Sequence, residues 1–370
     1  MLMNLTNDFY LNEDLEQAVR ADYLPWEEFS GKRILVTGAT GFVGSLLCKC
    51  FLFANRLLDL DIQIYGVVRS CVKAQKIYER LTETAGLELF EWDIRYPCEQ
   101  EMAIDYIFHC AGVTASKVMV DHPVKTLLTA VDGTHNVLEL ARNRKVKSFV
   151  YLSSMEVYGT FNSSDALVSE RDSGYINPLE VRSNYPESKR LCENMCIAYF
   201  SEYGIPVKIA RLAQVFGAGV LESENRVFAQ FARCVIRGEN IILHTEGLSE
   251  GNYCYSGDVL KALVLLMLRG KSGEAYNISN PETHTTIREM ARMVCQDIAK
   301  GKIDVVYDIP PSNQFGYAAD TKLKLDSGKM QQLGWKPEVG LREAYIRLIG
   351  SMRGGTGIDV HGQNNILYDS

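Results

Sequence analysis

The run Gly38-Ala39-Thr40-Gly41-Phe42-Val43-Gly44 stands directly after the apolar stretch RILVT and directly before a helix-patterned stretch from Phe42 to about Leu58. Glycines at such a junction permit a tight strand-to-helix turn, let a ligand approach the backbone and, at Gly44, let the helix pack close to the strand. The helix start presents free N–H groups and the positive end of its dipole to an anion. The pattern therefore predicts a pyrophosphate-bearing dinucleotide seated on Gly38, Thr40, Gly41, Phe42, Val43 and Gly44.

Its force comes from what surrounds it. RILVTG, IQIYGVV, LELFEWD, DYIFHCAG, SFVYLSS and VKIARL read as buried-type strands, with helix patterns following the first of them, over about 124–144 and over about 186–203. Strands and helices at this spacing need crossover connections, which give an α/β fold of the Rossmann type: a doubly wound parallel sheet with helices on both faces. After Arg211 the rhythm changes. QVFGAGV reads as a Gly-rich loop, VFAQFARCVIRG as a helix and NIILHTEG as a short strand, while SGDVLKALVLLMLRG and AYNISN read as a helix and strand returning to the large sheet. The reading divides the chain into an N-terminal extension (1–30, with Asn12 capping a short helix), a dinucleotide-binding domain (31–212, with a return segment at about 255–280), a smaller C-terminal α/β substrate lobe (213–254 and 281–352) and a flexible tail (353–370).

Composition narrows the function. Lys+Arg total 39 against 46 Asp+Glu, a net charge of −7, whereas a nucleic-acid coat needs a basic excess. The longest obvious apolar run, Ala262 to Leu268, has seven residues, against the roughly 18 of a membrane span. The N-terminus is acidic and has no signal-peptide core, so a cytoplasmic protein is expected. Ten cysteines without a CxxC pair read as reduced thiols, and six histidines without an HExxH motif predict no metal site.

Positions around the expected crevice carry further assignments. The second strand runs into Arg69, with Lys73 shortly after, where an acidic residue would mark a free ribose 2′-hydroxyl; an arginine suits a 2′-phosphate or stacks on adenine, so the cofactor is NAD or NADP, with Arg69 leaning to NADP. Asp93, followed by Ile94, ends the third strand, placed to accept from the adenine amine. Ala111 and Gly112 end the fourth, where small residues let a cofactor ribose approach. Tyr185 and Lys189 form the sole YxxxK of the chain, one helical turn apart on a shared face. They follow the fifth strand, which ends in Ser153-Ser154-Met155-Glu156-Val157-Tyr158-Gly159. An alcohol loses hydride to a nicotinamide only if its hydroxyl proton leaves too. A phenol serves as that base once neighbouring positive charge, from Lys189 and the nicotinamide ring, favours its ionised form. Lys189 would also hold the nicotinamide ribose, and Ser154 would hydrogen-bond the reacting oxygen.

TGATGFVG, HCAG, SSMEVYG, YPESK, RLAQVFG and LGWKP occur in this order over roughly residues 31–350. On these motifs the chain resembles the extended short-chain dehydrogenase/reductases, in particular their sugar-nucleotide epimerase/dehydratase branch with its UDP-glucuronate decarboxylase-like members. The resemblance implies a Rossmann domain plus a lobe binding a nucleotide-diphosphate sugar, a homodimer formed through two helices per subunit, and Ser154, Tyr185 and Lys189 as catalytic triad, with Glu156 helping proton transfer near the sugar ring. It implies substrate contacts from Val113, Ser154, Gln214 and Arg226. Three positions depart from the pattern. Gln214 stands where relatives often carry an Asn. Met155 replaces the aspartate of C5/C6 dehydratases, and Gly251-Asn252-Tyr253 lacks the phosphate-binding arginine. The implied chemistry is oxidation at C4 of the sugar, then inversion, decarboxylation or elimination, then hydride return. The alternatives are a net NADPH-dependent ketoreductase and a non-catalytic dinucleotide sensor.

Overall fold

The computed structural model describes residues 5–78, 81, 84–161, 167–310 and 321–354. Seven parallel strands form its central sheet: β1 (Arg33–Thr37), β2 (Gln63–Val68), β3 (Leu87–Glu91), β4 (Tyr106–His109), β5 (Ser148–Ser154), β6 (Val207–Leu212) and β7 (Glu274–Ile278). Their spatial order is 3-2-1-4-5-6-7. The order reverses beside β1, and in open α/β sheets the crevice outside the carboxyl ends of the strands at that point receives the ligand.

Side chains alternate across each strand. Ile34, Val36, Phe108, Val150 and Leu152 bury into a core shared with α2 (Phe42–Leu58). Leu35, Ile107, Phe149 and Tyr151 face the other way, against Val137, Leu138 and Ala141 of α3 (Pro123–Arg144) and Cys192 and Cys196 of α4 (Asn184–Tyr203). Beyond residue 255 the chain gives a helix, Ser256–Arg269, whose apolar residues join the first core, and β7 at the edge of the sheet.

A separate apolar cluster unites Phe228, Phe231, Ile241, Tyr253, Met290, Val294, Tyr345 and Leu348. The Gly-rich segment is more ordered than expected. Gln214–Phe216 is a short strand paired with Tyr253–Tyr255, because partner backbone, not local propensity, satisfies its hydrogen bonds.

The N-terminal extension holds a helix, α1 (Phe9–Arg20), capped by Asp8 rather than Asn12. Asn12 turns back instead, its Oδ1 accepting from the N–H groups of Leu5 and Thr6 at 3.0 and 2.9 Å. Asp14 fixes α1 to the far end of the chain: its Oδ1 accepts from Arg347 at 2.6 Å and its Oδ2 from the Tyr255 hydroxyl at 2.6 Å, all buried. All ten cysteines are unpaired. No helix among the described residues is long and apolar enough to cross a membrane. The expected flexible tail lies outside the described residues from 355 onward.

Candidate active site

The turn after β1 accepts only glycine at two points. Gly38 has φ of +68°, and a Cβ there would lie 2.8 Å from the Ala111 Cα; a Cβ on Gly44 would lie 2.4 Å from the Gly38 carbonyl oxygen. Gly41 is the N-cap of α2 and caps it with no side chain, so the first-turn N–H groups at Phe42, Val43 and Gly44 lack an intrahelical partner. This is a cradle fit for an anion such as a pyrophosphate. Thr40 lies half-buried in the same turn.

Beneath it, three residues lock the ends of β1 and β4. The Ala111 N–H donates to Thr37 Oγ1 at 3.2 Å; Thr37 Oγ1 lies 2.7 Å from His109 Nδ1, and His109 Nε2 lies 3.2 Å from Thr134 Oγ1. Burial, with Lys189 adding to it, pushes the His109 pKa down to about 3, so the ring is neutral. His109 is thus a structural link that lets Ala111 and Gly112 run past the turn without side chains of any size. Val113 follows them, half-buried.

At the other end of the expected dinucleotide groove, Arg69 is exposed just after β2, and its charge reaches Asp93. The Asp93 carboxylate is taken up by Arg95, accepting from its Nε at 3.0 Å and its Nη2 at 2.5 Å. That guanidinium holds the Asp93 carboxyl below its usual range and competes with the adenine contact expected of it. Ile94 is buried against Gly133 of α3, and its carbonyl accepts from Asn136 at 2.9 Å.

The structure brings Ser154, Glu156, Tyr185, Lys189 and Arg226 together. Lys189 Nζ donates to the Leu152 carbonyl at 2.7 Å, stands 4.7 Å from the Tyr151 ring centroid and 5.9 Å from that of Tyr185, and lies 3.8 Å from where a Gly112 Cβ would be. One hydrogen bond leaves an ammonium two donors, and the missing side chain at Gly112 leaves space beside them. Tyr185 is 9% exposed, and the Ser154 side chain favours its ionised form. Ser154 Oγ also accepts from the Glu156 N–H at 3.2 Å. Burial first, and then the charge of Glu156, push the Tyr185 pKa up to about 12; Ser154, Arg182 and Arg226 act against this. Lys189, expected above to favour the phenolate, is not prominent among these groups. Its own pKa is lowered by burial.

Arg182 is the residue that sequence reasoning missed. It lies on the short turn Val181–Ser183 before α4. Its Nη2 bonds both Glu156 oxygens, at 3.1 and 3.0 Å, and its Cζ stands 5.7 Å from the Tyr185 ring centroid. No spacing rule marks it, because its partner is 26 residues away. Arg226 bonds Glu224 at 2.7 Å and caps the helix Val227–Arg237. Gln214 is half-buried, its N–H donating to the Asn252 carbonyl at 3.2 Å. Two of the departures from the family pattern face one another: a Cβ on buried Gly251 would lie 3.7 Å from Met155 Cε. Asn252 is fully buried as a backbone bridge, donating to the Asn280 carbonyl at 3.0 Å and accepting from the Leu325 N–H at 2.8 Å.

Comparison with known proteins identifies the family. The description "NAD dependent epimerase/dehydratase family" matches residues 34–279. UDP-glucuronic acid decarboxylase 1 of Xenopus tropicalis is 30% identical over 346 residues, 92% of this chain and 77% of that protein. UDP-glucuronic acid decarboxylase 6 of Arabidopsis thaliana is 31% identical over 323 residues, 85% of this chain and 87% of that protein. Among solved structures, the dTDP-glucose 4,6-dehydratase DesIV of Streptomyces venezuelae, with NAD bound, superposes with a TM-score of 0.73 at 23% identity, covering 88% of this chain and 98% of its own. The UDP-glucuronic acid 4-epimerase of Bacillus cereus gives 0.71 at 20% identity, covering 87% and 99%. On the match over residues 34–279 and these relatives at 30 and 31% identity, the chain belongs to the NAD-dependent epimerase/dehydratase family of extended short-chain dehydrogenase/reductases and is an enzyme of that family.

Proposed function

We propose that the protein acts on a nucleotide-diphosphate sugar through a 4-keto intermediate, and that its substrate is a nucleotide-linked uronic acid that it decarboxylates. The observation that carries the first part is buried Tyr185 with Lys189 one turn further on, its Nζ 5.9 Å from the Tyr185 ring centroid, near Ser154 at the end of β5. Tyr185 takes the proton of the C4 hydroxyl and Ser154 holds its oxygen. Lys189 holds the nicotinamide ribose, and the turn at Gly38, Thr40, Gly41, Phe42, Val43 and Gly44 holds the pyrophosphate. The bound dinucleotide supplies the hydride acceptor and, when oxidised, a positive charge that favours the phenolate. Once C4 is a ketone, the carboxyl carbon at C5 leaves as CO2 because the electron pair of its bond is taken up as an enolate. C5 is then protonated, and a bound reduced dinucleotide would supply the hydride that restores the C4 hydroxyl.

Decarboxylation is supported by the relatives' names and by position 155, where a methionine stands and no acid is needed. Glu156, Gln214, Val113 and Arg226 line the sugar side in this reading, and the segments 213–254 and 281–352 form the lobe that holds it. The protein is cytoplasmic in this reading, consistent with ten unpaired cysteines. A second reading, an NADPH-dependent ketoreductase, is favoured by exposed Arg69 beyond β2.

Denaturing the purified protein and identifying the released nucleotide separates the two. Retained NAD, with CO2 evolved on adding a UDP-uronic acid, is the expected result. An empty site with NADPH consumed on adding a ketosugar nucleotide would establish the reductase. No conversion across UDP-, dTDP-, CDP- and GDP-sugars would overturn both readings in favour of a dinucleotide sensor.

We also propose a homodimer through α3 and α4, which expose Val124 (66%), Leu128 (46%) and Leu191 (50%). Apolar residues left in water on two adjoining helices suit a second copy of the same face. The double variant Leu128→Glu/Leu191→Glu is expected to sediment as a monomer where the parent sediments as a dimer.

A further inference from the structure

We propose that Arg182 is a positioning residue of the active site: it clamps the Glu156 carboxylate beside Tyr185 and cancels its negative charge at the phenol. The inference rests on the reading of Tyr185 as the base and adds a residue to it.

The geometry is that of a two-sided clamp. One face of the guanidinium group meets both carboxylate oxygens of Glu156, at 3.0 and 3.1 Å, while its carbon stands 5.7 Å from the Tyr185 ring centroid. The side chains of Arg182 and Glu156 are 22% and 32% exposed, so the pair borders the crevice and is not sealed in packing. The turn carrying Arg182 is pinned by the two residues that follow that arginine. Ser183 Oγ donates to the Asn177 carbonyl at 2.6 Å, and Asn184 Nδ2 to the Met119 carbonyl at 2.6 Å. Arg182 therefore enters the site from a fixed backbone.

The chemistry explains why such a clamp is needed. Glu156 sits two residues beyond Ser154, the expected partner of the reacting oxygen. A carboxylate there suits proton transfer at the sugar ring, yet the same charge opposes ionisation of the neighbouring phenol. A guanidinium keeps its charge throughout the working pH range. Paired with Glu156, it leaves almost no net charge facing the phenol and lets a base and a carboxylate share one small site. The other groups that face Tyr185 are Ser154 and Tyr151 from β5, Lys189 from its own helix and Arg226 from the loop ahead of Val227–Arg237. Of these groups and Arg182, only Arg182 bonds the Glu156 carboxylate among the described residues.

The test titrates the phenol itself and needs no substrate. Full-length protein carrying carbon-13 tyrosine is titrated by NMR in the presence of NAD, with the Tyr185 signal assigned from its loss in Tyr185→Phe. Arg182→Met is expected to raise the midpoint by about one pH unit or more, the size of shift typical of a charge at this range. Arg182→Lys, which keeps the charge, is expected to shift it less. Glu156→Gln is expected to lower the midpoint, and Glu156→Gln/Arg182→Met to bring it back towards the parent value. An unchanged midpoint in Arg182→Met would overturn the proposal, as would a shift that persists undiminished in the double variant. Unaltered thermal unfolding of each variant separates an electrostatic effect from misfolding. If the midpoints move as expected while no nucleotide sugar is turned over, the clamp stands and the proposed reaction fails. If turnover is found and the midpoints do not move, the reverse holds.

Discussion

Tyr185→Phe is expected to lower turnover by about 10²–10⁴-fold, the range for loss of a positioned proton acceptor, with dinucleotide retention unchanged. The ring of Tyr185 is almost wholly buried, with Arg182 on one side and Lys189 within 5.9 Å of its centroid. Phenylalanine fills the same volume and removes only the hydroxyl, so packing survives. The variant should bring the same nucleotide through purification while giving no reduction of it, read as absorbance after mixing with substrate. Burial holds the phenol at about 12 in the protein alone. Turnover in the parent should therefore rise with pH until the phenol is ionised, and the positive nicotinamide should move that rise to lower pH. Parent-like turnover in the phenylalanine variant would remove Tyr185 from the mechanism.

Arg211→Met is expected to cost about 3–5 kcal/mol of stability, because it leaves the Glu193 carboxylate buried without its partner. Arg211 Nη2 meets Glu193 Oε2 at 2.7 Å, with side chains 14% and 9% exposed. Arg211 also donates to the Tyr158 hydroxyl and the Glu170 carbonyl, both at 3.0 Å, and Ser153 Oγ donates to Glu193 Oε1 at 2.5 Å. Glu193 stands one turn beyond Lys189 on α4, and Ser153 is next to Ser154, so this pair fastens the helix carrying Tyr185 and Lys189 to the strand carrying Ser154. Urea denaturation should show the loss as a lower midpoint with an unchanged slope. The double variant Glu193→Gln/Arg211→Met removes both charges and should lose distinctly less, since an uncompensated ion, not a missing attraction, dominates the single change. Equal losses in the single and double variants would show that the pair is not what fastens these elements.

The strands were legible because each is a short apolar run between turn residues, and α2 because its 3.6-residue pattern begins at the glycine turn. Chain-local rules also placed Tyr185 and Lys189 on one helical face. They failed where a nearby competitor took a group's hydrogen bonds. Asn12 is a good cap by type, but Asp8 caps α1 while Asn12 binds the N–H groups of Leu5 and Thr6. Asp93 ends its strand as a free acid would, but Arg95 two residues on holds its carboxylate. Gln214–Phe216 looked like loop until Tyr253–Tyr255 supplied its partner strand.

By itself, then, the sequence determined the fold class, the glycine turn and the tyrosine–lysine helix, since each follows from residues within a few positions of one another. Only the tertiary structure decided which charges pair: Arg182 with Glu156 beside the phenol across 26 residues, Arg211 with Glu193 across 18 and, in the outlying extension, Arg347 with Asp14 across 333. The reason is physical. Backbone preferences and side-chain periodicity act along the chain, whereas the interaction between charges depends on distance in space and on burial, which exist only once the chain has folded.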